Sequence, residues 1–360
     1  MKQIIFPAVG SVTFGIILVL LSCKGREENS GKAEAPGELL VKDGMVRLPG
    51  GEFIMGTSGL FQTEYGPKEF PEEKPQHKVS VKGFWIDQTE LTNEQFAVFV
   101  NTTKYVTYAE REAKKEDFPE EALESLPLFP FKQGAIVFVP HSGTEGDVNE
   151  PGQYLNWWKW DAEANWRMPM GKGSNIDGKE KFPVVCITYE DASAYAQWAG
   201  KRLPTEAEWE CAARGGLVQT MYSWGDKTDV DGKPMCNNWQ GKFPNENTAA
   251  DGFVFSSPAK SYPPNGFQLY DMAGNVWELC SDLYDPDYFK TSPKDNPKGP
   301  DTWVNRETGE RSQGTPHHVT KGGSFLCHES YCLRYRPAAR QSQDSQSPTN
   351  HTGFRCVKDL

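Results

Sequence analysis

RLPTEAEWECAARGG, residues 202–216, holds a whole helix with both of its ends. Thr205 can accept a backbone N–H at the helix start, and Glu208, three residues on, can return a bond to the cap. Gly215-Gly216 ends it, because glycine takes left-handed backbone without a Cβ clash. Just upstream, Thr188 is the expected cap of a second helix over about 189–199. Its buried stripe is Ala192, Tyr195, Ala196 and Ala199, and Gly200 is its stop. A third is expected at about 93–102, where Thr92 and Gln95 form the capping box and Phe96, Phe99 and Val100 share one face. Short strands are expected at 52–55, 78–82, 84–87, 184–188, 318–321 and 353–357. Long irregular stretches separate them, 215–320 above all. Such loops in a folded chain call for a function or for ions that hold them. The stretch 110–156 opens with the acidic piece KKEDFPEEALESL and is expected to be a solvated insertion rather than a site.

Composition agrees with sparse regular structure. The 360 residues include 34 glycines and 26 prolines, which argues against a helical bundle. With 11 Trp, 13 Tyr and 20 Phe a packed core is available, so wholesale disorder is excluded. The net charge is −11 and no Lys/Arg-rich run is present, which argues against nucleic-acid binding. No repeat is visible and no break in composition after Gly44 marks a second domain. These readings leave one domain with sparse, well-capped helices, short strands and many loops.

The N-terminus reads as an address. Met1-Lys2 precedes an apolar run from Ile4 to Leu21, and Leu20-Leu21-Ser22-Cys23 is similar to a bacterial lipobox. Residues 1–22 are then a lipoprotein signal peptide, Cys23 the lipidated residue, 23–43 a polar tether and 44–360 the functional domain. The expected location is outside the cytoplasm, lipid-anchored to the envelope, facing the periplasm or the cell surface. Lys24 after the cysteine points to the outer membrane. The competing reading is an uncleaved membrane anchor.

No HExxH, paired Cys-x-x-Cys or Gly-x-Ser-x-Gly occurs, so zinc and serine-hydrolase chemistry start low. His317-His318 are expected to be exposed rather than ligands. Cys327 and Cys332 stand out in GGSFLCHESYCLRYRPAAR (322–340). Four intervening residues can fold back and bring the sulfurs together, either as a disulfide, the default in an oxidising compartment, or as a Cu(I) site, since that ion prefers sulfur and tolerates few ligands. Arg334, Arg336 and Arg340 would favour the thiolate, and Ser324 and Tyr331 add hydroxyls that a bridge alone does not require.

CHESYCLRYRPAAR (327–340) followed by TGFRC (352–356) closely resembles the C-terminal segment of the formylglycine-generating enzymes, the sulfatase-modifying factor family. GMVRLPGGEFIMGT (44–57), FWIDQTELTNEQFAVFVN (84–101), RLPTEAEWECAARGG, NNWQGKFP (237–244), NGFQLYDMAGNVWE (265–278) and KGGSFLCH (321–328) fit it in the same order, so the resemblance covers about 44–360. RLPTEAEWE is shared across a wider superfamily, whereas the Cys-x4-Cys pair in its GGS and Arg-x-Arg setting is specific.

The resemblance implies a single α/β domain of mixed sheets and few helices, with low secondary-structure content, related to C-type lectins. It also implies oxidation of the Cys in the C-x-P-x-R motif of an unfolded sulfatase polypeptide to Cα-formylglycine, with O₂, a thiol reductant and Cu(I). Cys327 and Cys332 would hold the copper, Ser324 and Trp277 would line the pocket with Tyr331 nearby, and Arg340 would contact the client peptide or support that surface. Two Ca²⁺ sites are implied. One takes Asn237, Asn238 (backbone), Asp251 and Phe253 (backbone), the other Asp271, Gly274 (backbone), Val276 (backbone) and Glu278. Side-chain oxygens interleaved with carbonyls suit a hard cation; otherwise Asp251-Gly252 and Asn275 are plain turn residues. Two disulfides of the vertebrate enzymes are broken here: Cys356 faces Ala196 as its partner position, and Ala213 and Pro337 replace the other pair. Cys186, Cys211, Cys236, Cys280 and Cys356 are therefore expected as free thiols or in unassigned pairs. Glu329 stands where relatives often carry Arg. Two other classes compete: a non-catalytic envelope lipoprotein of the same fold, and an iron-dependent sulfoxide synthase, which needs a helical companion domain that does not precede residue 44.

Overall fold

Among the described residues, three α-helices each start at a capping box. In α1 (Asn93–Thr103) the Gln95 N–H donates to Thr92 Oγ1 while Thr92 N–H donates to Gln95 Oε1. Thr188 and Asp191 do the same for α2 (Tyr189–Trp198), and Thr205 and Glu208 for α3 (Glu206–Arg214). Gly215 ends α3 at φ +56°, and a Cβ there would sit 2.9 Å from the Asn265 side chain, so glycine is required by conformation and by space. Phe96, Phe99 and Val100 of α1 pack against Ala192, Tyr195 and Ala196 of α2, as their spacing predicts.

The computed structural model describes residues 39–360 except 118–123, 125–126, 128, 141–142, 144–147, 149, 151 and 306–307. The segment expected as a signal peptide, Cys23 and most of the segment expected as a tether lie outside the described residues, as does most of KKEDFPEEALESL. Among the described residues no helix is long and apolar enough to cross a membrane.

Two four-stranded sheets organise the core. The first has the antiparallel order β1 (Val41–Lys42), β2 (Met45–Leu48), β7 (Phe84–Asp87), β16 (Val357–Asp359). β1 lies inside the segment expected as tether, so the folded domain begins earlier than residue 44. The second has the order β14 (Gln341–Asp344), β13 (His317–Lys321), β12 (Trp277–Leu283), β15 (Thr352–Gly353), with β12 and β15 parallel. Four ribbons complete the set: β3 (Gly51–Met55) with β6 (His77–Val81), β4 (Phe61–Thr63) with β5 (Gly66–Lys68), β8 (Ala135–Phe138) with β9 (Trp158–Asp161), and β10 (Asp229–Val230) with β11 (Lys233–Pro234).

Several expectations are corrected. Residues 184–188 form no strand: Cys186 sits at φ +57°, and Val184 and Cys186 make single bonds to Leu91 and Thr349 instead. The expected strand 353–357 is two strands, one on each sheet, so the C-terminal segment ties the sheets together. The stretch 110–156 is not merely solvated, because Ala135, Val137 and Phe138 of β8 are buried. His317 and His318 are buried, not exposed. His318 lies flat against Tyr189 at 3.5 Å between ring centres, and burial pushes its imidazole down to about 4. Cys186, Cys236, Cys280 and Cys356 are buried free thiols and Cys211 is half-buried. Burial pushes all of these thiols up, Cys211 to about 12, and keeps them protonated. Cys356 shares an apolar cluster with Ala196, without a partner sulfur.

Candidate active site

The chain leaves β13 through Gly322 and Gly323, both with positive φ. A Cβ on Gly323 would fall 2.9 Å from the Tyr335 nitrogen, and one on Gly322 3.1 Å from the Trp209 ring. Only this Gly-Gly step lets the backbone run under 334–335 and deliver Ser324 to the interior. A tight turn follows. The His328 carbonyl accepts the N–H groups of Tyr331, Cys332 and Leu333 at 3.0, 2.9 and 3.2 Å. That turn folds the segment back on itself, so the Cys327 and Cys332 Cα atoms stand 5.5 Å apart with their sulfurs in bonding contact.

Cys327 is buried among Trp277, Tyr222, Leu333, Tyr335, Ala273 and Cys236, whereas Cys332 is only partly covered. One sulfur is thus enclosed and the other accessible. The Ser324 N–H points at the Cys327 sulfur (3.5 Å), and the Trp239 N–H holds the Cys327 carbonyl (3.1 Å). Tyr331 stacks on Phe243 with ring centres 4.4 Å apart. His328 and Glu329, between the cysteines, line a cleft of about 860 Å³ that Tyr65, Asn238, Trp239 and Tyr335 also border. Burial and Lys68 push the His328 imidazole down, while burial and Glu64 push the Glu329 carboxyl up. Neither this cleft nor a larger one of about 1090 Å³, bordered by Tyr189, Lys201, Arg202 and Lys298, is lined by Cys327 or Cys332.

The arginines do not serve the thiols as expected. Arg334 pairs with Glu72 (2.7 Å), Arg336 makes a two-pronged pair with Glu73 (2.7 and 2.8 Å), and Arg340 does the same with Glu206 (2.8 Å). Each charge is matched by a carboxylate, so none is left to favour a thiolate. Arg340 is fully buried and also donates to the Asp285 carbonyl, so of its two expected roles the burial fits support of that surface rather than contact with a client peptide. Arg334 and Arg336 instead clamp the segment carrying β4, β5, Glu72 and Glu73 over the cleft, with Arg336 lying 4.0 Å over the Phe61 ring.

Two groups of oxygens flank this region. In the first, Asn237 donates to the Phe255 carbonyl, Asp251 Oδ1 accepts the Phe253 N–H, and Asp251 Oδ2 is buried with no protein partner. In the second, Asp271 sits in left-handed backbone; its Oδ2 accepts the Lys260 N–H and its Oδ1 is buried without a partner. Gly274 is required beside it, since a Cβ would meet the Asn237 carbonyl at 2.1 Å. Glu278 differs from expectation: both its oxygens are engaged by Arg355 (2.6 and 2.7 Å), and Trp209 adds a third bond. Glu90 supplies a carboxylate that the sequence did not flag. Its Oε1 accepts from Asn275 and its Oε2 is buried and unpartnered. Burial, above all, pushes Asp271 up to about 6 and Glu90 upward as well, and the neighbouring carboxylates add to both shifts. Asn275 is no plain turn residue, since it bonds Glu90, Asn237 and Ser257 and links the two groups. Among the described residues no three His, Cys, Asp or Glu side chains form a ready metal cage. A cation here would take backbone carbonyls with the aspartates.

Residues 32–360 match the family described as sulfatase-modifying factor enzyme 1-like domain. The chain belongs to the sulfatase-modifying factor family. It is 45% identical over 316 residues to the formylglycine-generating enzyme of Streptomyces coelicolor, covering 88% of this chain and 89% of that one. With the formylglycine-generating enzyme of Mycobacterium tuberculosis it shares 43% over 315 residues, 88% and 97% of the two chains. It is also 35% identical over 359 residues to the inactive Cα-formylglycine-generating enzyme 2 of Mus musculus, 98% and 95% of the chains. Family membership alone therefore does not decide activity. The structure of PvdO from Pseudomonas aeruginosa has the same fold, with TM-score 0.56 and 22% identity over 91% of this chain and all of that one.

Within this sulfatase-modifying factor domain, Cys327, Cys332, Ser324 and Trp277 lie together, and Tyr331 stacks on the adjoining aromatic wall. Arg340 and the Glu278 carboxylate belong to buried ion pairs. Sequence reasoning missed His351, whose Nδ1 lies 3.1 Å from Ser324 Oγ. It also missed Glu90 and the Phe138–Trp157–Phe243 wall beneath Tyr331. None belongs to a chemically suggestive motif. Glu90 merely precedes a capping box, and His351 follows a polar strand.

Proposed function

We propose that this protein oxidises the cysteine of a C-x-P-x-R segment in an unfolded sulfatase to Cα-formylglycine, in a copper-dependent reaction with O₂. The observation that carries the reading is the turn 327–332, which sets one enclosed and one accessible sulfur together beside an open cleft. Identity of 43–45% to formylglycine-generating enzymes over most of the chain supports it.

The residues fit a soft metal ion: in reduced form, Cys327 and Cys332 offer two thiolates at a spacing one ion can share. Copper bound there would supply the one-electron chemistry needed to use dioxygen. The protein's own part is orientation and exclusion of water. The Ser324 N–H donates to the Cys327 sulfur, Trp277 and Tyr335 keep that sulfur dry, and the less covered Cys332 faces the incoming client. Turning a cysteine into an aldehyde releases its sulfur as sulfide and takes two electrons from the client, whereas dioxygen reduced to water accepts four. A thiol reductant supplies the other two.

Calcium would lie near Asp251 with Asn237, the Asn238 carbonyl and the Phe253 carbonyl, and near Asp271 with the Gly274 and Val276 carbonyls. Each group contains a carboxylate oxygen that is buried and lacks a protein partner, as suits the ligand of a hard cation. With Glu278 engaged by Arg355, Glu90 is the better placed second carboxylate. The N-terminal reading completes the proposal: lipid attached at Cys23 would hold the domain at the bacterial envelope, outside the cytoplasm.

The test is direct. The copper-loaded domain is incubated with O₂, a thiol reductant and a C-x-P-x-R peptide, and the product is weighed by mass spectrometry. Conversion of Cys to aldehyde is expected. Copper bound at Cys327 and Cys332 with an unchanged peptide would leave a non-catalytic envelope lipoprotein of this fold.

A further inference from the structure

Ser324 has a hydrogen-bonding pattern that singles out one neighbour. Its Oγ accepts the Leu326 N–H at 3.3 Å, so the hydroxyl proton is free to be donated elsewhere. The acceptor within reach is Nδ1 of His351, at 3.1 Å. His351 is itself held. Its carbonyl accepts the Trp277 N–H (2.8 Å), its ring packs on Trp158 (4.7 Å between centres), and the adjacent Asn350 side chain accepts the Phe138 N–H (3.0 Å). Strands β8 and β12 therefore hold the backbone at 350–351 while Trp158 of β9 packs on the imidazole, and Ser324 is the next residue in line before the Cys327 sulfur.

Resting on the proposed reaction, we propose that His351 is a positioning residue of the thiol site: its Nδ1 takes the Ser324 hydroxyl proton in a hydrogen bond and so fixes the turn whose N–H faces the Cys327 sulfur. His351 touches neither sulfur. It acts through Ser324 by turning the hydroxyl proton away from Cys327, so that the serine offers the sulfur its backbone N–H. An acceptor Nδ1 requires the ring proton to be on Nε2. Burial pushes the imidazole down to about 3, so it stays neutral and stays an acceptor at working pH.

Two measurements test this. In protein labelled with ¹⁵N-histidine, long-range ¹⁵N–¹H spectra of metal-free enzyme should show His351 as the Nε2–H tautomer, with the Nδ1 resonance displaced in Ser324→Ala. In turnover, His351→Ala should lower kcat about tenfold, the worth of one well-placed hydrogen bond, with KM for the peptide unchanged within about twofold. His351→Asn, which keeps an acceptor, should recover most of that loss. Ser324→Ala combined with His351→Ala should be no slower than Ser324→Ala alone. An Nδ1–H tautomer, an unaltered kcat in His351→Ala, an Asn variant as slow as Ala, or losses that multiply would each overturn the proposal. A wild-type enzyme without turnover would end the reading of the reaction instead, and the tautomer measurement would still decide whether His351 holds Ser324.

Discussion

Arg340 and Glu206 are joined by two parallel hydrogen bonds inside the protein, Nε to Oε1 and Nη2 to Oε2, both 2.8 Å long. Neither side chain reaches solvent. Such a pair holds α3 to the segment after the Cys327–Cys332 turn, and each charge is the other's nearest partner. Arg340→Met should cost about 3–5 kcal/mol in urea unfolding because it leaves the buried Glu206 carboxylate with only the more distant Lys321, at 3.6 Å. Turnover per folded molecule should be nearly retained. A stable variant with a raised KM for the client peptide would show that Arg340 contacts substrate after all.

Cys327→Ser and Cys332→Ser should each abolish turnover. The loop closed between them is short, so removing a bridge there can destabilise by only about 2 kcal/mol in the loop-entropy model. Thermal unfolding with and without reductant checks this. A much larger loss would make the pair a structural staple.

How much of this was legible in the sequence depended on the range of the interaction. The helix caps were readable because Thr205 and Glu208, or Thr92 and Gln95, interact across three residues. β12 was not, because WELCSDL is covered on both faces and shows no alternation. The Cys327–Cys332 turn was visible from spacing. The ion pairs that reassign Arg340 and Glu278 were not, since their partners lie 134 and 77 residues away. His351 reaches Ser324 only because β15 runs parallel beside β12, and nothing local announces that pairing.

Asp282 gives the protein a pH dependence of definite sign. Burial, with Glu206 nearby, pushes its carboxyl up to about 7, while its Oδ2 accepts the Glu206 N–H. The folded state thus keeps a proton that the unfolded chain, titrating near the usual value of about 3.9, has already lost. Stability from this group is fully present below about pH 4 and is lost as pH rises toward 7, by at most about 4 kcal/mol. Asp282→Asn removes the titration and keeps an acceptor. Its stability advantage over the wild type should grow between pH 4 and 8 and then level off in denaturant titrations. A gap that does not change with pH would mean that Asp282 is ionised throughout.

The unpartnered oxygens of Asp251 and Asp271 predict a calcium requirement that can be separated from catalysis. Each is buried without a protein partner, and burial pushes both carboxyls up, so with no cation each carboxylate carries a desolvation cost that its other hydrogen bonds only partly offset. A bound ion removes that penalty and stabilises by mass action, about 2.7 kcal/mol at a hundredfold excess over Kd. Chelation at pH 7.5 should therefore lower Tm by about 5 °C or more, and added Ca²⁺ should restore it. Mg²⁺ should do so poorly, because it resists losing its water shell to mixed carbonyl sites. Asp251→Asn and Asp271→Asn should each remove part of the calcium-dependent shift while leaving copper binding at Cys327 and Cys332 intact. If Tm ignored both chelator and calcium, the two aspartates would have to be protonated in the folded protein, and the long loops of 215–320 would be held by their hydrogen bonds alone.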